Sequence, residues 1–140
     1  MSPLDRFTRN SYPAVLCAAV ILLLTGLPGS CFPPVKPELS LDKVAHLLMY
    51  LAFAFITLWG YRLPYRERGK AFRSKALWIT LLVSVSFGAL TELMQEFFIP
   101  SRFGSVYDWI ADVIGSILGV TLFYFLYKKR NNLGREAFCK

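Results

Sequence analysis

All sixteen Lys and Arg residues of this chain lie outside four apolar stretches, Tyr12 to Leu27, Val44 to Tyr61, Ala76 to Phe98 and Trp109 to Tyr127. A helix needs about 20 apolar residues to cross the hydrocarbon core of a bilayer. The stretches run 16, 18, 23 and 19 residues, and the first can gain reach by letting Arg9 snorkel to the head groups. In lipid every backbone polar group must be satisfied internally, so helices are the natural fold for such segments. Composition agrees: 18% of residues are charged, against about 25% in soluble domains. A disordered chain is excluded, and little sequence remains for a soluble lobe. The expected architecture is all-α, a four-transmembrane-helix bundle forming one domain over residues 1–140.

The positive charges also orient the bundle. Arg6 and Arg9 precede the first span. Arg62, Arg66, Arg68, Lys70, Arg73 and Lys75 fall between the second and third, and Lys128, Lys129, Arg130, Arg135 and Lys140 follow the fourth. Only Lys36, Lys43 and Arg102 fall in the other connections. Thirteen against three places both termini and the basic loop in the cytoplasm by the positive-inside rule. The net charge of +7 then reports topology and attraction to anionic lipid, and no nucleic-acid partner is expected. The localisation expected is the bacterial cytoplasmic membrane, multi-pass.

Cys17, Cys31 and Cys139 map to a span, the outer side and the cytoplasmic tail, so no internal disulfide is expected. The first span has features of a secretory signal, ending in Leu27-Pro28-Gly29-Ser30-Cys31. Pro28 departs from a lipoprotein cleavage box, and a retained span is the expectation. Pro33, Pro34 and Pro37 keep the next segment extended. Ser40 reads as an N-cap, with Asp42 in the first helical turn. Pro100 closes the third helix, and Phe103-Gly104-Ser105 reads as a turn.

The informative residues are polar ones in or beside the spans. The second span has Asp42, Lys43, His46 and Tyr50; the third has Glu92, Gln95 and Glu96; Arg102 follows; the fourth has Asp108 and Asp112. All belong to the external ends. Asp42 and His46, Glu92 and Glu96, and Asp108 and Asp112 are each four apart, so each pair shares a helix face. At 1.5 Å per residue, Glu92 lies about 10 Å back from Ile99, and Asp112 about 6 Å beyond Asp108. An ionisable group at a helix centre costs roughly 2.5–3.5 kcal/mol on insertion scales, less near the interface. Singly, Asp42, Glu96 and Asp108 fit interfacial residues reaching water, and His46 alone fits a hydrogen-bonded packing residue. Glu92 and Asp112 are too deep for that.

Small residues recur at helical spacing. Ala111, Gly115 and Gly119 form one row, and Ser84 and Gly88 another that continues into Glu92 and Glu96. Such stripes let helices approach closely, which would turn Glu92 and Asp112 into the bundle. They would equally suit a homo-oligomer.

The blocks Asp42-Lys43-Val44-Ala45-His46 with Tyr50, Glu92-Leu93-Met94-Gln95, Pro100-Ser101-Arg102, and Asp108 with Gly115 and Gly119 resemble the VanZ-like family of small bacterial membrane proteins. The resemblance covers residues 42–119. It implies a multi-span fold and a cell-envelope role, since the founding member is associated with resistance to the glycopeptide teicoplanin. It supplies no mechanism, because no enzymatic activity is settled for the family. Two positions depart from the pattern. An asparagine usual four places after the aspartate is Asp112 here, and an acid usual three places after the arginine is Ser105.

Five carboxylates in these positions face Lys43, Arg102 and at most one charge on His46. Protonated acids, a metal cation or a cationic ligand group can supply the shortfall. Arg102 is expected to pair with Glu92 or Asp108, or to meet a lipid phosphate bidentately. The leading expectation is an external polar cleft that binds a membrane lipid, a lipid-linked cell-wall precursor or a glycopeptide, contributing to teicoplanin tolerance. Neither a cofactor nor a metal ligand set is assigned. One alternative is a metal- or acid/base-assisted hydrolase or transferase at the outer interface, although one histidine without a local HExxH motif argues against the metal version. A second is a small proton-coupled transporter, weakened by ionisable groups that stop at one side. Whether the chain is an enzyme stays open at this level.

Overall fold

A computed structural model describes residues 3–28, 41–100 and 102–136. Its helices are α1 (Pro3–Thr25), α2 (Leu41–Gly60), α3 (Arg62–Glu67), α4 (Lys70–Phe98) and α5 (Val106–Glu136). Leu41–Gly60, Lys70–Phe98 and Val106–Lys129 are long and apolar enough to cross a membrane. The apolar part of α1, Asn10–Thr25, is shorter and rises about 24 Å. The architecture is all-helical and compatible with a multi-pass membrane protein.

The basic segment from Arg62 to Lys75, expected as a loop, is largely helical. It forms α3 and the first turns of α4. The reason is local hydrogen bonding: the Arg73 guanidinium donates to the Tyr65 and Arg66 carbonyls at 2.9 and 3.1 Å. Those carbonyls belong to the last turn of α3, where a helix has no partners of its own. At the other end, α4 stops at Phe98 and Ile99 is extended, as the residue before Pro100 must be. Asp42 does fall in the first turn of α2. Cys17 is free and half-buried. Cys31, Pro33, Pro34, Pro37, Ser40, Ser101 and Cys139 lie outside the described residues.

The central helix is α2, which packs most extensively on α5 and also meets α1 and α4. The small-residue row of α5 makes this possible. A Cβ on Gly115 would overlap the Leu47 carbonyl oxygen, and one on Gly119 the Leu51 carbonyl oxygen, so α5 lies directly on the α2 backbone. Ser84 on α4 meets Ser116 on α5, Oγ to Oγ, at 2.7 Å. Two apolar clusters fill the rest: Ile21, Tyr50 and Phe53 in one, Leu58, Tyr65 and Phe123 in the other. Leu82, Leu90, Phe97 and Phe98 face outward, the disposition lipid requires and one a monomeric soluble protein avoids.

Candidate functional site

The C-terminal ends of α1 and α4 and the N-terminal ends of α2 and α5 lie together at the end of the bundle away from α3. His46, Glu92 and Asp112 occupy one layer there. His46 is five residues into α2, Glu92 six before the end of α4 and Asp112 six into α5, a depth of about 8–9 Å each. His46 Nδ1 lies 3.0 Å from Asp112 Oδ1 and 3.5 Å from Glu92 Oε1. One side chain from each of three helices thus meets in the interior, with His46 1% and Asp112 0% exposed.

Only the Asp112 contact has hydrogen-bond length; 3.5 Å to Glu92 is an electrostatic contact. The second Glu92 oxygen, Oε2, accepts the Ser105 amide at 2.7 Å. Glu92 Oε1 and Asp112 Oδ2 are buried without a hydrogen-bond donor, whereas the buried Asp108 Oδ1 has the Lys43 ammonium 3.2 Å away. A buried carboxylate oxygen without a donor is costly. The cluster is therefore rich in acceptors and poor in donors.

The surrounding polar groups hold the triad in place. Tyr50 lies 2.9 Å from Thr91, whose hydroxyl donates to the Gly88 carbonyl. Thr91 has one proton, so Tyr50 is the donor in that pair. By the same count Ser116 donates to the Asp112 carbonyl at 2.7 Å and Ser84 donates to Ser116. Gly88 gives Asp112 its space: a Cβ there would stand 2.9 Å from Asp112 Oδ2. The Trp109 indole donates to the Val85 carbonyl at 3.2 Å, a second tie between α5 and α4.

The other candidate residues sit around this layer. Lys43 lies 3.2 Å from Asp108 Oδ1 at the rim, the lysine 43% exposed and the carboxylate buried. Gln95 is buried and donates to the Thr25 carbonyl at 3.3 Å, fixing α1 to α4. Glu96 is exposed and accepts the Gly104 amide at 2.9 Å. Asp42 is exposed on α2, and Arg102 is half-buried in the connection before α5. Asp42 and Glu96, each four residues from a triad member, are thus the outward members of their pairs. Thr91, Ser116 and Trp109 were not among the candidates. Ser116 carried a signal, standing four after Asp112 on the same face; Thr91 and Trp109 read as ordinary span residues.

Comparison with known proteins completes the description. A family model described as VanZ/LLP1 matches residues 7–127, extending beyond the 42–119 block to include most of α1 and the apolar part of α5. An uncharacterized protein of Schizosaccharomyces pombe is 26% identical over 111 residues, 79% of this chain and 62% of that protein. The chain thus spans about three-fifths of the length of that relative. No solved structure matches.

Proposed function

The chain belongs to the VanZ/LLP1 family, and we propose that the polar end of its bundle, around His46, Glu92 and Asp112, opens as a recess that binds the head group of a membrane amphiphile at the outer surface of the membrane. The occupant is a lipid-linked envelope component or a lipid-tailed glycopeptide, and binding contributes to teicoplanin tolerance. The observation that carries this is the triad itself: three helices bury His46, Glu92 and Asp112 at one shallow level and leave carboxylate oxygens without donors. Intramembrane ionisable groups arranged this way mark a functional site before they mark stability.

Three further features support the reading. Lys43 at the rim and the half-buried Arg102 in the connection before α5 suit a phosphate, Arg as a fork and Lys as a point charge. Phe98, Phe103 and Tyr107 are 78%, 82% and 72% exposed near the same end, as side chains of an interfacial belt are. The excess of Lys and Arg at the opposite end orients the recess outward. A relative in a fission yeast favours a lipid head group over a ligand confined to one kind of wall. The test is native mass spectrometry of the gently solubilised protein: a retained phospholipid-like mass in the unaltered chain, lost in Arg102→Ala, is expected, together with lost tolerance in cells. Tolerance and retention both unchanged by Arg102→Ala would remove the basis for the reading.

A second reading is an acid/base transferase or hydrolase acting on the same occupant. It is favoured by the 3.0 Å contact of Asp112 with His46 Nδ1, the arrangement in which a carboxylate orients an imidazole for proton transfer. Release of a phosphate or acyl product from a lipid-linked substrate, abolished by His46→Gln, distinguishes it from binding alone.

A further inference from the structure

We infer that His46, Glu92 and Asp112 form the protein half of a divalent-cation site. The three residues each present a ligand atom, and these atoms all lie within 4.8 Å of one another. A cation held at about 2.1 Å has neighbouring ligands roughly 3.0 Å apart in octahedral and 3.4 Å in tetrahedral geometry, and about 4.2 Å across an octahedron. His46 Nδ1 to Asp112 Oδ1 at 3.0 Å and to Glu92 Oε1 at 3.5 Å match the neighbouring separations.

Hydrogen bonding points to the same ligand. One Nδ1 proton serves a single acceptor well, and it lies within hydrogen-bond length of Asp112 alone. Glu92 Oε1, on a side chain 9% exposed, and Asp112 Oδ2, on one fully buried, stay without a donor. An ion between His46 Nδ1, Asp112 Oδ1 and Glu92 Oε1 supplies the partner that Glu92 Oε1 lacks, which a proton shared with Asp112 does not. The Ser105 amide holds the back of Glu92 through Oε2, as partners behind metal ligands do. Two carboxylates with one imidazole suit Zn²⁺ or Mn²⁺.

Coordination positions left open would take phosphate or hydroxyl oxygens of the amphiphile, converting an acceptor-rich floor into one that attracts an anionic head group. In that purpose the inference rests on the head-group reading, whereas ion binding is measurable without it. The experiment uses the full-length protein in mild detergent after chelator treatment, titrated separately with Zn²⁺ and Mn²⁺ and analysed for bound metal after dialysis. One ion per chain is expected, with affinity falling roughly tenfold or more in Asp112→Asn and unchanged in Glu67→Gln at the far end. His46 is the single histidine of the chain, so histidine-selective nitrogen-15 NMR on the unaltered protein reads the site directly. Zn²⁺ should replace the Nδ1 proton at one equivalent. An Nδ1–H retained at saturating Zn²⁺, or binding indifferent to Asp112→Asn, overturns the inference. Stoichiometric metal without retained lipid defeats only the head-group reading; retained lipid without metal defeats only this one.

Discussion

Asp112 on α5 holds His46 on α2 through a 3.0 Å contact between two side chains that are both essentially out of solvent, sixty-six residues apart in sequence. The contact joins the two helices with the most extensive interface in the bundle. It makes Asp112 both a packing element and part of the candidate site.

Breaking that pair should cost more than an ordinary hydrogen bond, because it leaves an imidazole buried beside Glu92 alone. Asp112→Ala is expected to destabilise by roughly 3–5 kcal/mol. Asp112→Asn, which keeps the shape and one acceptor, should cost less than half as much. Thermal unfolding in detergent micelles ranks the two, and equal losses would show that the charge, which both substitutions remove, carries the whole contribution of the side chain.

Close approach of α5 to the α2 backbone depends on a missing side chain. Gly115→Ala places a methyl on the Leu47 carbonyl, which neither helix can vacate without moving, and the expected loss is about 1–3 kcal/mol. Gly69→Ala, where nothing lies within 4 Å of the new Cβ, should leave the melting temperature within error. The contrast controls for the general effect of adding a methyl group.

Tyr50 donates to Thr91 in a fully buried pair. Tyr50→Phe keeps the ring contacts with Phe53 and Phe87 and loses only the hydroxyl, so a loss of about 0.5–1.5 kcal/mol is expected. The same substitution should not change metal stoichiometry, since Tyr50 is not among the three ligating residues.

The Lys43–Asp108 ion pair separates binding from stability. The Lys43 side chain is 43% exposed and that of Asp108 9%, so the pair is open to water on its lysine side alone and contributes about 1 kcal/mol. Lys43→Ala should therefore barely alter unfolding, yet lower retention of an anionic lipid in native mass spectra. A large stability loss with retention intact would assign Lys43 to the fold alone.

Orientation follows from labelling. In a background with Cys17, Cys31 and Cys139 replaced by Ser, Glu67→Cys should react with a membrane-impermeant maleimide only after permeabilisation, and Phe103→Cys in intact cells. Both side chains are exposed. The reverse pattern would place the recess on the cytoplasmic side.

The membrane-helical character of this chain was legible from residue order, because exclusion of Lys and Arg from long apolar runs is a one-dimensional property enforced by the cost of burying charge in hydrocarbon. The approximate limits of α2, α4 and α5 followed, as did the small-residue row of α5 that meets α2. Arg62 to Lys75 was misread as a loop because its helicity depends on Arg73 reaching back to carbonyls seven and eight residues earlier, which composition does not encode. The polar residues were visible one by one, and spacing by four showed which shared a face. The small-residue rows turned Glu92 and Asp112 inward, but they did not show that His46 meets both, and Asp108, which fitted a residue reaching water, is buried as well. Only the packing of α4 and α5 around α2 brought His46, Glu92 and Asp112 into one contact and buried Asp108 against Lys43, because which side chains meet is set by the rotation of each helix against its neighbours, a relation between distant segments.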